Sequence, residues 1–242
     1  MKIVFAGPSI HGLDKSLLAG CVVLPPAGRG DVLRAVWQGA EAIGLVDGIF
    51  ESAPSVWHKE ILFALASGVR VLGAASIGAL RAAECHVFGM EGTGAIFEQY
   101  RSGERVCDAD VALVHAPAEL GYAPLTEALA DIEPAIAEFA AKQWLSVDDA
   151  NALLSAARRL HFKQRTWNAV VEMAGFGQTR RAAVAHGRRE LGPGQKQRDA
   201  SALLAAISRP PCQPCNVAAF EFSRTAFFDR LRQQTPSKGL GQ

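Results

Sequence analysis

Val69-Arg70-Val71-Leu72-Gly73-Ala74-Ala75-Ser76-Ile77-Gly78-Ala79-Leu80-Arg81-Ala82-Ala83-Glu84 is the stretch that decides the fold class. Val69–Gly73 is an apolar run of strand length, the following residues are too small to do more than turn the chain, and Ala79–Glu84 has good helix-forming composition. A buried strand passing through a tight turn into a helix is half of a βαβ unit.

Reading outward, the same grammar recurs. Lys2–Ala6, Cys21–Leu24 and Ala42–Val46 are short apolar runs that end at Gly, Pro or Asp, and Val111–Val114 reads as a fifth. Between them, Gly30–Gly39, Trp57–Ser67 (with Ser55 as a cap and Gly68 as a stop), 77–86 and 94–102 read as helices. This pattern predicts an α/β fold with a mostly parallel, Rossmann-like sheet and flanking helices. From Leu125 the strand signal gives way to amphipathic segments near 125–142, 147–160, 164–174, 178–190, 196–208 and 223–234. The expected organisation is an α/β core over 1–122, a helical region over 123–234 and a frayed tail over 235–242.

Composition narrows the function classes. The chain has 242 residues, 49% hydrophobic and 20% charged, enough to bury a core without metals or disulfides. No apolar run approaches the roughly 20 residues of a membrane span, and the start lacks a signal-type core, so a cytoplasmic protein off the membrane is expected. Five cysteines fit a reducing compartment; Cys212-Gln213-Pro214-Cys215 has no second ligand pair and reads as two free thiols in a loop, without a metal. No cofactor motif is present, since neither a Walker Gly-Lys-Ser/Thr nor a GxGxxG after the first strand occurs. Between Gln178 and Arg198 six Lys/Arg face Glu190 alone, either a solvated helix face or a docking surface for an acidic protein. Nucleic acid is disfavoured by a net charge of only +1 and by the lack of aromatic interleaving.

In open α/β sheets ligands bind at the carboxyl ends of the strands, where helix N-termini and loops converge. Those ends hold Gly7-Pro8-Ser9, Pro25-Pro26 with Arg29 and Asp31, Asp47-Gly48, and the turn around Ser76. Ser76 sits in an Ala-x-Ser-x-Gly frame, either as the nucleophile of an elbow-like turn or as the cap of its helix. As nucleophile it needs a base. His58 is the candidate, with Asp47 to orient it and Lys59 as a substitute, although a histidine at a helix start is equally often a surface residue. Ser9 and Arg81 are candidates for substrate binding. Arg81 and Glu84, at i and i+3, form either a plain ion pair or a holder for a carboxylate.

Taken together these residues resemble the TfuA-like family. The likeness is carried by Gly7-Pro8-Ser9, Pro25-Pro26 with Arg29-Gly30-Asp31, Asp47-Gly48-x-Phe50, Ser55-Val56-Trp57-His58-Lys59-Glu60-Ile61-Leu62, Ala75 through Glu84, Phe88-Gly89-Met90-x-Gly92, and Asp108-x-Asp110-Val111-Ala112 with His115. It spans about the first 120 residues, departs at Ile77 where a methionine is expected, and carries nothing over to the helical half. The resemblance implies a partner of YcaO enzymes, which activate a peptide amide with ATP, in backbone thioamidation of a precursor peptide or a protein. It also implies sulfur drawn from a ubiquitin-like carrier protein ending in a thiocarboxylate. With the reading of the residues above, the expected catalytic residues are Ser76, His58 and Asp47, with Ser9, Arg81, Lys59 and Glu84 in substrate binding. The alternative is a noncatalytic adaptor that docks carrier or peptide onto YcaO.

Overall fold

Strands β1 (Lys2–Phe5), β2 (Cys21–Leu24), β3 (Ala42–Leu45), β4 (Arg70–Ala74) and β5 (Glu91–Thr93) pair in the order β2-β1-β3-β4-β5, and every pairing is parallel. The computed structural model describes residues 1–210 and 220–235; Cys212, Cys215 and the tail beyond Thr235 lie outside the described residues. The order reverses direction between β1 and β3, which opens a crevice at their carboxyl ends.

Helices α1 (Asp31–Trp37), α2 (His58–Ala66), α3 (Ile77–Cys85) and α4 (Ala95–Ser102) connect or follow the strands, as the apolar periodicity requires. They are followed by α5 (Leu129–Ala141), α6 (Val147–Arg159), α7 (Trp167–Met173), α8 (Gln178–Glu190), α9 (Gln195–Ser208) and α10 (Ala226–Gln234). The α/β class with a parallel sheet and a helical C-terminal region is therefore what the chain adopts. The fifth strand is a correction, because Val111–Val114 forms no strand and the sheet closes on Glu91–Thr93. β5 has only three residues and no apolar alternation. It is held by its ladder and by Arg70, which donates from Nε and Nη2 to Glu91 at 2.6 and 2.7 Å. The Val114 amide instead donates to Thr126 Oγ1 at 2.7 Å, and its carbonyl accepts from Leu125 and Thr126.

The chain divides into two compact units. The first joins Met1–Val106 to the described residues from Gln197 onward. Here α9 returns to the sheet, its Ala200, Leu203, Leu204 and Ile207 buried against Val4, Ala6, Leu72 and Ala74. Gly73, one residue out of phase with Leu72 and Ala74, faces α3 instead. That alternation puts helices on both faces of the sheet. In the second unit, Cys107–Lys196, helices α5 to α8 enclose Ile132, Ile136, Phe139, Leu153, Trp167 and Val170. Among the described residues no helix is long and apolar enough to cross a membrane.

Candidate functional site

The turn from β4 into α3 is built on glycine and alanine for a steric reason. A Cβ on Gly78 would lie 1.8 Å from the Leu45 carbonyl oxygen, and one on Gly73 would lie 2.1 Å from that of Gly78, so α3 starts in direct contact with the sheet. To enter it, the chain passes Ala75 at φ 66°, while the Ser76 amide donates to the Ala74 carbonyl at 2.8 Å. A bond between residues two apart around a positive φ is a γ-turn, rare for a residue with a side chain and costing about 1–3 kcal/mol. Ser76 is the N-cap residue of α3, yet its hydroxyl makes no capping bond to the helix, and the residue is 8% exposed.

Asp47, two residues beyond the end of β3, is 2% exposed. Its carboxylate accepts from the Gly7 amide at 2.8 Å, the Ser9 amide at 3.0 Å and the Ser9 hydroxyl at 2.7 Å. Those donors follow β1, so the cluster occupies the crevice where strand order reverses. The structure thus brings Ser9 and Asp47 together as one buried unit.

A second cluster lies between α2 and α3. His58 Nε2 is 2.8 Å from Glu84 Oε2, the same oxygen accepts from Arg81 Nη1 at 2.6 Å, and Arg81 Nε donates to the Val56 carbonyl at 3.0 Å. Burial raises the Glu84 carboxyl, but hydrogen bonds from His58 and Arg81 outweigh it and leave the group below its ordinary value. The carboxylate beside His58 is therefore Glu84, while Asp47 serves Ser9. At about 1.5 Å of rise per residue, Glu84 lies about 12 Å along α3 from Ser76. Lys59 turns the other way, donating to the Ser223 carbonyl at 2.7 Å with its ammonium 5.1 Å from the Phe222 ring centroid.

Two features escape sequence reasoning. Glu60, fully buried, accepts from the amides of Gly30 at 2.8 Å, Leu33 at 3.4 Å and Trp57 at 3.2 Å, tying the starts of α1 and α2 together. Burial pushes its carboxyl up to about 7, against the pull of those three amides. Its place three residues into a helix after Trp57 is the available signal, since Glu at that position reaches back to the cap amide. The second concerns Ser55, expected as the cap of α2. Trp57 holds the N-cap position, and Ser55 Oγ is buried without a hydrogen-bond partner. Among the described residues no three His, Cys, Asp or Glu side chains converge as a metal would need.

A family model described as TfuA-like protein matches residues 47–166. That span begins at Asp47 and takes in His58, Glu60, Ser76, Arg81 and Glu84. No curated protein matches the chain.

Proposed function

The chain belongs to the TfuA-like family, and from that membership and the geometry of the rim we propose that it acts with a YcaO enzyme in peptide backbone thioamidation. Its part is to release sulfur from a ubiquitin-like carrier ending in a thiocarboxylate, at Ser76. The observation that carries this reading is the strained turn at Ala75, which sets Ser76 at the carboxyl end of β4 and the head of α3, where an elbow presents its nucleophile.

In chemical terms, Ser76 Oγ attacks the thiocarboxylate carbonyl, and the tetrahedral oxyanion takes hydrogen bonds from amides at the head of α3, Ile77 being the residue an elbow would use. The C–S bond breaks and sulfur departs as hydrosulfide carrying the serine proton, leaving an acyl-serine. Water then cleaves the ester to a carboxylate and restores Ser76. Because hydrosulfide is a good leaving group, the step asks little of a general acid. His58, held by Glu84 at 2.8 Å, is the proposed proton relay, and the distance along α3 between Glu84 and Ser76 makes it the least supported part of the step.

A second reading has its own observation. With Asp47 occupied by Ser9 and His58 by Glu84, the chain resembles a noncatalytic adaptor that docks carrier or peptide onto YcaO. One pair of assays separates the two. With a thiocarboxylated carrier, Ser76→Ala should reduce sulfide release at least about a hundredfold, as loss of a nucleophile does, with an unchanged circular dichroism spectrum. Undiminished release removes Ser76 from the mechanism. In thioamidation driven by added free sulfide, the releasing enzyme should be dispensable, whereas an adaptor should still be required and should tolerate Ser76→Ala.

A further inference from the structure

We infer that Arg29, stacked on Trp57, is the receptor for the C-terminal carboxylate or thiocarboxylate of an extended polypeptide tail. The inference rests on the sulfur-release reading for the identity of the tail, and on the rim itself for the receptor.

Arg29 is exposed, and its guanidinium carbon stands 5.2 Å from the centre of the Trp57 ring. The backbone beneath it is fixed from both sides. The Arg29 amide donates to the Pro54 carbonyl at 2.9 Å, Gly28 pairs with Ser55 in an antiparallel bridge, and the Gly28 amide donates to Asp31 Oδ2 at 2.7 Å. The other arginines near these helix starts are neutralised: Arg34 bonds Asp31 and Arg81 bonds Glu84. Among the described residues Arg29 meets no carboxylate. A guanidinium held over an indole keeps its N–H donors, and its planar fork is the geometry that takes both oxygens of a carboxylate.

Position gives the ligand its class. Ala27 bridges Gly48 in parallel, the Ile49 amide donates to the Ala27 carbonyl at 2.9 Å, and Gly48 lies against the side chain of Ile77, the residue after Ser76. Trp57 follows Val56, whose carbonyl is bound by Arg81 of α3. The cation is thus carried on the segments that border the Ser76 turn. Half-buried Ile49, Phe50 and Trp57 on the same segments add apolar surface. A single stacked guanidinium beside apolar side chains suits a monoanion at the end of a peptide better than a phosphate, which carries more charge and calls for more donors.

The test follows the Trp57 indole N–H resonance during titration with a hexapeptide bearing a free C-terminal carboxylate, the same peptide amidated, and inorganic phosphate. The acid should shift the resonance saturably and bind at least about tenfold tighter than the amide, the usual size of a charge-assisted pair. Arg29→Gln should erase that preference, and Arg29→Lys, which keeps the charge but not the fork, should retain only part of it. The receptor is overturned if the acid gives no saturable shift, if acid and amide bind alike, if Arg29→Gln keeps the preference, or if phosphate binds as tightly as the peptide. Carboxylate preference without sulfide release sinks the sulfur-release reading and leaves the receptor standing. Sulfide release without carboxylate preference does the reverse.

Discussion

Glu60 is the residue at which burial and hydrogen bonding pull hardest against each other. Three amides from two helix starts favour its carboxylate, while complete burial favours the neutral acid and wins, raising the group from 4.5 to about 7. Between those values the folded chain holds a proton that the unfolded chain has given up, so stability falls as pH rises through that window. The contribution is fully present below about pH 4.5 and lost by somewhat above pH 7. At about 1.4 kcal/mol per pH unit the span amounts to about 3 kcal/mol. Glu60→Gln mimics the protonated acid and cannot titrate, so its melting temperature should lack the wild-type decline between pH 5.5 and 8 and should gain on wild type as pH rises through that range. A wild-type melting temperature that is level across that range would show that the amides, not burial, set the charge of this group.

At the scale of elements, the start of α4 is closed from elsewhere in the chain. Asp199 of α9, 3% exposed, accepts from the amides of Ala95 at 3.1 Å and Ile96 at 2.8 Å, doing from a distance what an N-cap residue does locally. The fit demands glycine at 94, where φ is 96° and a Cβ would stand 2.2 Å from Asp199 Cγ. Gly94→Ala should therefore destabilise the chain by about 2 kcal/mol or more, from a strained φ together with a displaced cap. Asp199→Ala should cost about 1–3 kcal/mol by leaving buried amides unpaired. Equilibrium urea unfolding reads both, and a neutral Gly94→Ala would contradict the packing of α9 against α4. Elements of this kind separate what a sequence discloses from what it conceals. The β4–α3 stretch, with its apolar strand, small turn and helix, was legible because every feature is local, and so were the helices after Leu125. β5 was not, because Glu91-Gly92-Thr93 is a strand only by virtue of β4 and Arg70. The partners of the candidate site were equally hidden. Ser9 and Asp47 are 38 residues apart and His58 and Glu84 are 26 apart, so no spacing rule could pair them.

At the scale of the molecule, the sheet depends on a helix that arrives after the whole of the second unit has been made. Leu203 and Ile207 of α9 reach so close to β3 that a Cβ on Gly44 would lie 2.8 Å from Leu203 Cδ2 and 3.4 Å from Ile207 Cδ1. Without α9, one face made of Val4, Ala6, Leu72 and Ala74 would be open to water. An apolar sheet face of that kind cannot remain bare, since parallel sheets are stable only when covered on both sides. The second unit has no such debt, because Phe139, Leu153, Val170 and Val184 are enclosed within residues 107–196. A chain ending at Lys196 should therefore keep the helical core of the second unit while its sheet unit aggregates or binds a hydrophobic dye. A chain ending at Pro210 should restore the sheet while losing the packing of Phe222, Phe228 and Leu231 around Leu33 and the Lys59 bond to the Ser223 carbonyl. Leu203→Ala in the full chain should cost about 2–5 kcal/mol, the usual range for truncating a buried leucine. Circular dichroism, dye binding and urea unfolding of the three proteins decide the matter. A soluble, cooperatively folded sheet unit in the chain ending at 196 would mean that α9 covers a face able to stand alone.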